Sequence, residues 1–150
     1  MTTLISQPVF QLYALCSAIL VVILYGLGFY TAKVRNDHKK VINAEDVKVN
    51  SGATAVDVEV PEVQRIKRAH ANSLENAVPF FVMGFLYSQT SPGAGMAQGL
   101  FFTFVAVRLF HAFFYLTARQ PFRTMSFAIG GVINLIMAVQ VIRAAVAAMP

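Results

Sequence analysis

Three short groups of polar residues could do chemistry in a chain that is otherwise mostly apolar. Arg65, Arg68, Asn72 and Glu75 are separated by three, four and three positions. At about 100° per residue in a helix they fall within about 80° of one another, a single polar stripe. Arg108, His111 and Tyr115 repeat the three-and-four spacing and share one face. Arg123 and Thr124 come just after Pro121, in what reads as the first turn of another helix. Guanidinium groups bind carboxylates through paired hydrogen bonds, and the single carboxylate, Glu75, complements an ammonium. Together they suit a small zwitterionic or polyanionic ligand. The His and carboxylates lack the spacing of metal ligands, so no metal is expected. There is no Gly-rich phosphate loop and no Ser/His/Asp hydrolase arrangement.

Purely structural roles compete with this reading. Arg65 and Lys67 suit charges that snorkel from a helix end. Arg108 and Glu75 could form an ion pair between helices, and His111 an interhelical hydrogen bond. Convergence favours a site: cations, a carboxylate, an amide and hydroxyls fall at one depth in a chain poor in polar groups.

The elements that must position these residues are membrane helices. Apolar residues make up 57% of the 150 and charged residues 13%. No charge occurs from Met1 to Ala32, nor from Asn76 to Val107. A bilayer core is crossed by about 20 apolar helical residues. The chain therefore reads as a single all-α domain over residues 1–150, an integral membrane four-helix bundle. Its spans are expected near residues 9–35, 62–88, 97–117 and 121–147, with a polar loop at 36–61. The first apolar run has no basic segment before it and is too long for a signal peptide. Gly130-Gly131 marks a place where a neighbouring helix could come close. One cysteine, Cys16, excludes an intrachain disulfide and a Cys-rich zinc site.

The net charge of +5 does not indicate nucleic acid, because the Lys and Arg cluster beside apolar segments. Lys33, Arg35, Lys39, Lys40, Lys48, Arg65, Lys67 and Arg68 fall between the first two spans, and Arg119 and Arg123 between the last two. By the positive-inside rule both charged loops are cytoplasmic and both termini outside or luminal. The three polar groups then meet at the cytoplasmic end, where Arg68, Asn72, Glu75, His111, Tyr115, Arg123 and Thr124 are expected to face one cavity.

The string Arg65-Ile-Lys-Arg68-Ala69-His70-Ala71-Asn72-Ser73-Leu74-Glu75-Asn76, followed by Pro79-Phe80 and Gly84-Phe85-Leu86-Tyr87-Ser88, resembles the second helix of a known family. It is that of the membrane-associated proteins in eicosanoid and glutathione metabolism. Arg108, His111, Tyr115-Leu116 and Pro121-Phe122-Arg123 match later pieces, and the resemblance runs from Val9 to about Ala145. It is closest to the branch that holds prostaglandin E synthases and type-1 microsomal glutathione transferases. The resemblance implies a homotrimer in membrane lipid that binds glutathione between neighbouring subunits and takes a lipophilic small molecule from the bilayer. Carried over by position, it places glutathione at Asn72, Glu75, His111, Tyr115 and Arg123, with Thr124 beside them and Arg35 reaching in from the first helix. Arg68 and Arg108 are supporting charges. Arg123 and Thr124 would activate the thiol, and Asp46 with Arg35 would handle a proton.

The implied activity is first a prostaglandin-E-synthase-like endoperoxide isomerase. A glutathione transferase or peroxidase on lipophilic electrophiles is the alternative, and a non-catalytic lipid-binding member is a third. The synthase branch has an arginine where this chain has Ala71, a serine at Thr124 and a tyrosine at Phe127. The transferase branch is apolar at Ala71 and Phe127, but its reactive loop cysteine has no counterpart here.

Overall fold

In the computed structural model, which describes residues 3–150, the chain is an all-α bundle. Positions 1 and 2 of the expected single domain lie outside the described residues. The helices are α1 (Pro8–His38), α2 (Pro61–Gln89), α3 (Ala94–Leu116) and α4 (Phe122–Ala147). Pro8 and Pro61 open α1 and α2, where a missing N–H costs nothing. Lys39, in the left-handed region at φ 52°, ends α1, and its N–H returns to the carbonyls of Arg35 and Asn36. Pro121 lies one residue outside the fourth helix and caps it instead of forming its first turn.

The loop after α1 is more ordered than a solvated linker. Strands β1 (Lys40–Val41) and β2 (Thr54–Ala55) pair in parallel, Lys40 beside Thr54 and Val41 beside Ala55. A 3-10 turn at Ala44–Lys48 lies between them, and Val41 and Ala53 are buried.

The helices run up-down-up-down. Near one end Tyr13 of α1 packs on Phe80 and Phe85 of α2 and on Phe101 of α3. Toward the other end Leu27 of α1 packs with Ile66 of α2 and Ala112 of α3. The buried residues of α2 include Val63, Ile66, Ala69, Ser73, Ala77, Phe80, Gly84 and Tyr87. That three-and-four spacing makes a narrow seam facing the other helices. Phe80 stacks on Phe104 of α3 with ring centroids 4.4 Å apart, at the centre of the aromatic core.

The outside is apolar: Val22, Phe29 and Leu135 are 70%, 72% and 67% exposed, as expected where lipid is the solvent. Three helices, α1, α3 and α4, are long and apolar enough to cross a membrane. Although α2 has the length, at 29 residues, and runs beside them over the same depth, its polar stripe makes it less apolar. The protein is an integral membrane bundle.

The tightest approach to a glycine occurs at Gly84, while at Gly130 side chains of α3 pack at ordinary contact distance. A Cβ on Gly84 would lie 3.1 and 3.2 Å from the Tyr13 ring, whereas at Gly130 the nearest atom, Arg108 Cδ, is at an ordinary 3.6 Å. Gly131 has open space. Gly84→Ala is therefore expected to push Tyr13 off its hydrogen bond to the Phe81 carbonyl (2.9 Å) and to destabilise the bundle by about 1–3 kcal/mol. Gly131→Ala should be neutral or slightly stabilising. Unfolding in mixed detergent compares the two, and equal midpoints would contradict the packing at Gly84.

Candidate functional site

The charged end of the bundle is organised around Arg108. This guanidinium is 1% exposed, and no carboxylate lies within ion-pair distance among the described residues. Its Nη2 donates to Asn72 Oδ1 at 3.0 Å and to the Asn72 carbonyl at 3.3 Å, and lies 3.3 Å from His111 Nδ1. An arginine has only donors, so His111 Nδ1 must accept and its proton must sit on Nε2. The neutral imidazole thus has a defined tautomer, with a donor on its far side. The Arg108–Glu75 ion pair considered from sequence does not form; Asn72 takes the place of the carboxylate.

Beside this core, Asn72, His111, Tyr115, Arg123, Thr124 and Phe127 line one cavity of about 280 Å³. Five of the expected site residues therefore meet between α2, α3 and the start of α4. The Arg123 guanidinium lies 4.7 Å from the centroid of the Tyr115 ring, a cation–π contact. Tyr115 in turn meets His111 edge-on at 5.7 Å. Gln120 completes the set, and its amide satisfies its neighbours with the oxygen toward Arg123. That oxygen accepts from Arg123 Nη2 at 2.7 Å and Nε at 3.2 Å, while the NH2 donates to Thr124 Oγ1 at 3.0 Å. Sequence reasoning passed over Gln120, although its place three and four residues before Arg123 and Thr124 carries the signal. Arg123 is held at the N-terminal end of α4, where helix-dipole charge adds to its own.

Arg68 and Glu75 do not enter this cavity. The expected stripe of α2 lies about 130° around the helix from the buried seam, so only its inner edge reaches the core. Asn72 is on that edge, while Arg68 and Glu75 are exposed on the surface of the single chain. Arg68 reaches only Gln64, at 3.4 Å, and Glu75 forms no ion pair among the described residues. Arg65 lines a different cavity, with Tyr30, Asp37, His38 and Glu62.

Arg35 and Asp46 share a third cavity, of about 230 Å³, between the end of α1 and the loop. Arg35 is bound not to Asp46 but to Glu59, by a two-point ion pair through Nε and Nη2, and Lys67 Nζ joins at 3.3 Å. The Glu59 side chain is 8% exposed. Glu59 was missed because it lies 24 residues from Arg35 and no local spacing links them. Within one chain, then, Asp46 and Arg35 are not brought into the cavity of Arg123 and Thr124.

Comparison with known proteins adds to this geometry. The model of the MAPEG family matches residues 13–143. Prostaglandin E synthase of Homo sapiens is 32% identical over 138 residues, covering 91% of this chain and 90% of that protein. The Bos taurus prostaglandin E synthase is 32% identical over 140 residues, 93% of this chain and 91% of its own. Microsomal glutathione S-transferase 1 of Homo sapiens is 33% identical over 147 residues, 95% of each chain. Two differently named activities therefore stand at almost equal identity, and identity alone does not separate them.

The Arg35 cluster is expected to make loop order pH-dependent. Hydrogen bonding from Arg35, then from Lys67, holds the Glu59 carboxyl below its ordinary 4.5. A lowered folded value means the stabilisation is complete above pH 4.5 and disappears as pH falls below it. Amide exchange in the 39–60 loop should therefore lose protection on acidification in wild type. In Glu59→Gln, protection should already be lower at neutral pH, and the acid-dependent loss should be smaller. Equal acid dependence in both proteins would move the effect to another carboxylate.

Proposed function

Because this chain belongs to the MAPEG family, we propose that it is a glutathione-dependent membrane enzyme working as a prostaglandin-E-synthase-like endoperoxide isomerase. The observation that carries this is Arg123 held by Gln120 beside the Thr124 hydroxyl, in a cavity that also takes in Asn72, His111 and Tyr115. The donor set fits glutathione: it offers a cation, a hydroxyl and an imidazole N–H, and no carboxylate lines the cavity to repel an anion. Glu75 and Arg68, exposed on the adjoining stripe, suit the ammonium and carboxylate ends of the same molecule.

A carboxylate left facing lipid would cost about 2.5–3.5 kcal/mol on insertion scales. That cost favours a homotrimer in which a neighbouring copy covers the stripe and glutathione lies between subunits. In such an assembly the charged loops face the cytoplasm, and a lipophilic substrate enters from the bilayer. Arg35 and Asp46 then contribute from the neighbouring copy.

When bound, glutathione supplies a thiolate that can attack an endoperoxide oxygen, an electrophilic carbon or a hydroperoxide oxygen. The chain's own part is to raise the thiolate fraction and keep it oriented. A thiol ordinarily ionises near 8.5, and an adjacent cation lowers that value. Arg123 supplies the cation, Gln120 fixes its fork, and the Tyr115 ring packs against the guanidinium plane. Thr124 Oγ1 already accepts from Gln120, so its own hydrogen is free to be donated to sulfur. His111, with Nε2 protonated, is a donor and not a base. Within one chain proton handling falls to Arg123, because Asp46 lines another cavity.

A second reading rests on Phe127. It puts an apolar ring in the cavity wall near His111, which suits a transferase or peroxidase acting on hydrophobic electrophiles. Product analysis with glutathione and an endoperoxide, an aromatic halide or a lipid hydroperoxide separates the two. Absence of glutathione binding by calorimetry would remove both and leave a lipid-binding protein.

Arg123→Leu should raise the pKa of the bound thiol and cut turnover near neutral pH by about one to two orders of magnitude, with partial recovery at higher pH. That is the loss of about 1.5–3 kcal/mol from a charged hydrogen bond. Thr124→Val should do less. Thiolate absorbance of bound glutathione across pH is the measurement, and an unshifted titration in Arg123→Leu would move activation to Thr124 or Tyr115. Glu75→Ala should weaken glutathione affinity while leaving kcat at saturating glutathione nearly unchanged. A fall in kcat at unchanged affinity would contradict a role at the ammonium end.

A further inference from the structure

The end of the bundle opposite Arg108 and Arg123 carries a feature that the proposed activity does not use. Tyr87, Thr90, Gln140 and Arg143 line a cavity of about 430 Å³ between the α2–α3 turn and the last turns of α4. Arg143 is the only Lys or Arg at this end, and it has no carboxylate partner among the described residues. No Asp or Glu lines the cavity. Tyr87 is 1% exposed and its hydroxyl has no hydrogen-bond partner among the described residues. An unsatisfied buried hydroxyl is costly, so a site that supplies an acceptor there is favoured.

Met96 is shared between this cavity and a second one of about 470 Å³. The second is an apolar groove between α3 and α4, walled by Leu100, Ile129, Val132 and Ile133, with Gly99 leaving its floor open. A polar chamber with a lone cation at the helix ends thus continues into an apolar groove running toward the middle of the bundle.

We propose that this pair of cavities is a binding site for an anionic membrane phospholipid, its phosphate at Arg143 and Tyr87 and an acyl chain in the α3–α4 groove. The guanidinium and the Tyr87 hydroxyl are donors that match the two free oxygens of a phosphodiester. Charge selects the class of lipid. A zwitterionic headgroup brings an ammonium for which the chamber has no carboxylate, so a headgroup with net negative charge is preferred. The site lies at the far end from the Arg123 cavity and does not rest on the proposed activity.

The test uses the purified full-length protein in detergent. Native mass spectrometry compares retention of phosphatidylglycerol and phosphatidylcholine with identical acyl chains, and thermal unfolding is followed with each lipid and with inorganic phosphate. Wild type should retain phosphatidylglycerol about tenfold better than phosphatidylcholine and gain thermal stability from it, and inorganic phosphate should give little. Arg143→Gln should lose about tenfold in phosphatidylglycerol retention, the worth of a charged hydrogen bond, with glutathione binding unchanged. Tyr87→Phe should be at least as stable as wild type without lipid but gain less from phosphatidylglycerol. Gly99→Leu, which fills the groove without touching the head chamber, should also reduce retention. If Arg143→Gln does not fold, Gly99→Leu and the wild-type lipid comparison decide. Equal retention of the two lipids, unchanged retention in Arg143→Gln, or phosphate stabilising as well as lipid would each overturn the proposal.

Discussion

A guanidinium buried between helices with no carboxylate to neutralise it is the constraint on which the rest of the bundle depends. Removing Arg108 from solvent costs several kcal/mol unless its donors are met. The structure meets this in part: Nη2 reaches the side chain and carbonyl of Asn72 and His111, while Nε and Nη1 have no partner among the described residues. Those contacts fix the register of α2 against α3. They also settle which nitrogen of His111 bears the proton, and so which hydrogen-bonding group faces the cavity.

Lipid is as apolar as a leucine side chain, so burial of apolar surface does little to hold membrane helices together. Packing and interhelical hydrogen bonds must do it. A polar seam crosses the bundle for this purpose: Asn134 of α4 lies 3.4 Å from the Asn76 carbonyl, and Asn76 donates to the Asn72 carbonyl at 2.9 Å. From there the seam continues to Arg108 and His111. Above it the aromatic layer of Tyr13, Phe80, Phe101 and Phe104 fills the space between α1, α2 and α3. The cavity lies where the seam reaches the charged end, so the rigid core and the candidate site share residues.

The separation of the remaining charged residues follows from the same geometry. A seam of three-and-four spacing uses one face of α2, and Arg68 and Glu75 lie about 150° and 170° around the helix from its centre. Arg68 and Glu75 are therefore left on the outside. Arg35 is drawn to Glu59, an acid in the same polar loop, and this ties the end of α1 to the start of α2. The two ends of the bundle thus differ in kind. One holds most of the cations and the cavity of Arg123 and Thr124, and the other holds Arg143 alone beside the buried Tyr87 hydroxyl.

The sequence by itself determined the solvent, the helix count and the chemistry at hand. Apolar runs of membrane length, charges confined to two connections, and polar residues at helical spacing depend only on composition and period, which are properties of the chain. It also put Asn72, His111, Tyr115, Arg123 and Thr124 in one group, together with Arg68 and Glu75 that the cavity leaves out, because neighbouring antiparallel helices must bring those turns together. Only the tertiary structure decided the partners. Asn72 rather than Glu75 receives Arg108, Glu59 rather than Asp46 receives Arg35, and Gln120 holds Arg123. Helical spacing gives the direction of a side chain about its own axis but not the rotation of one helix against another. A buried charge takes whichever acceptor that rotation places within about 3 Å.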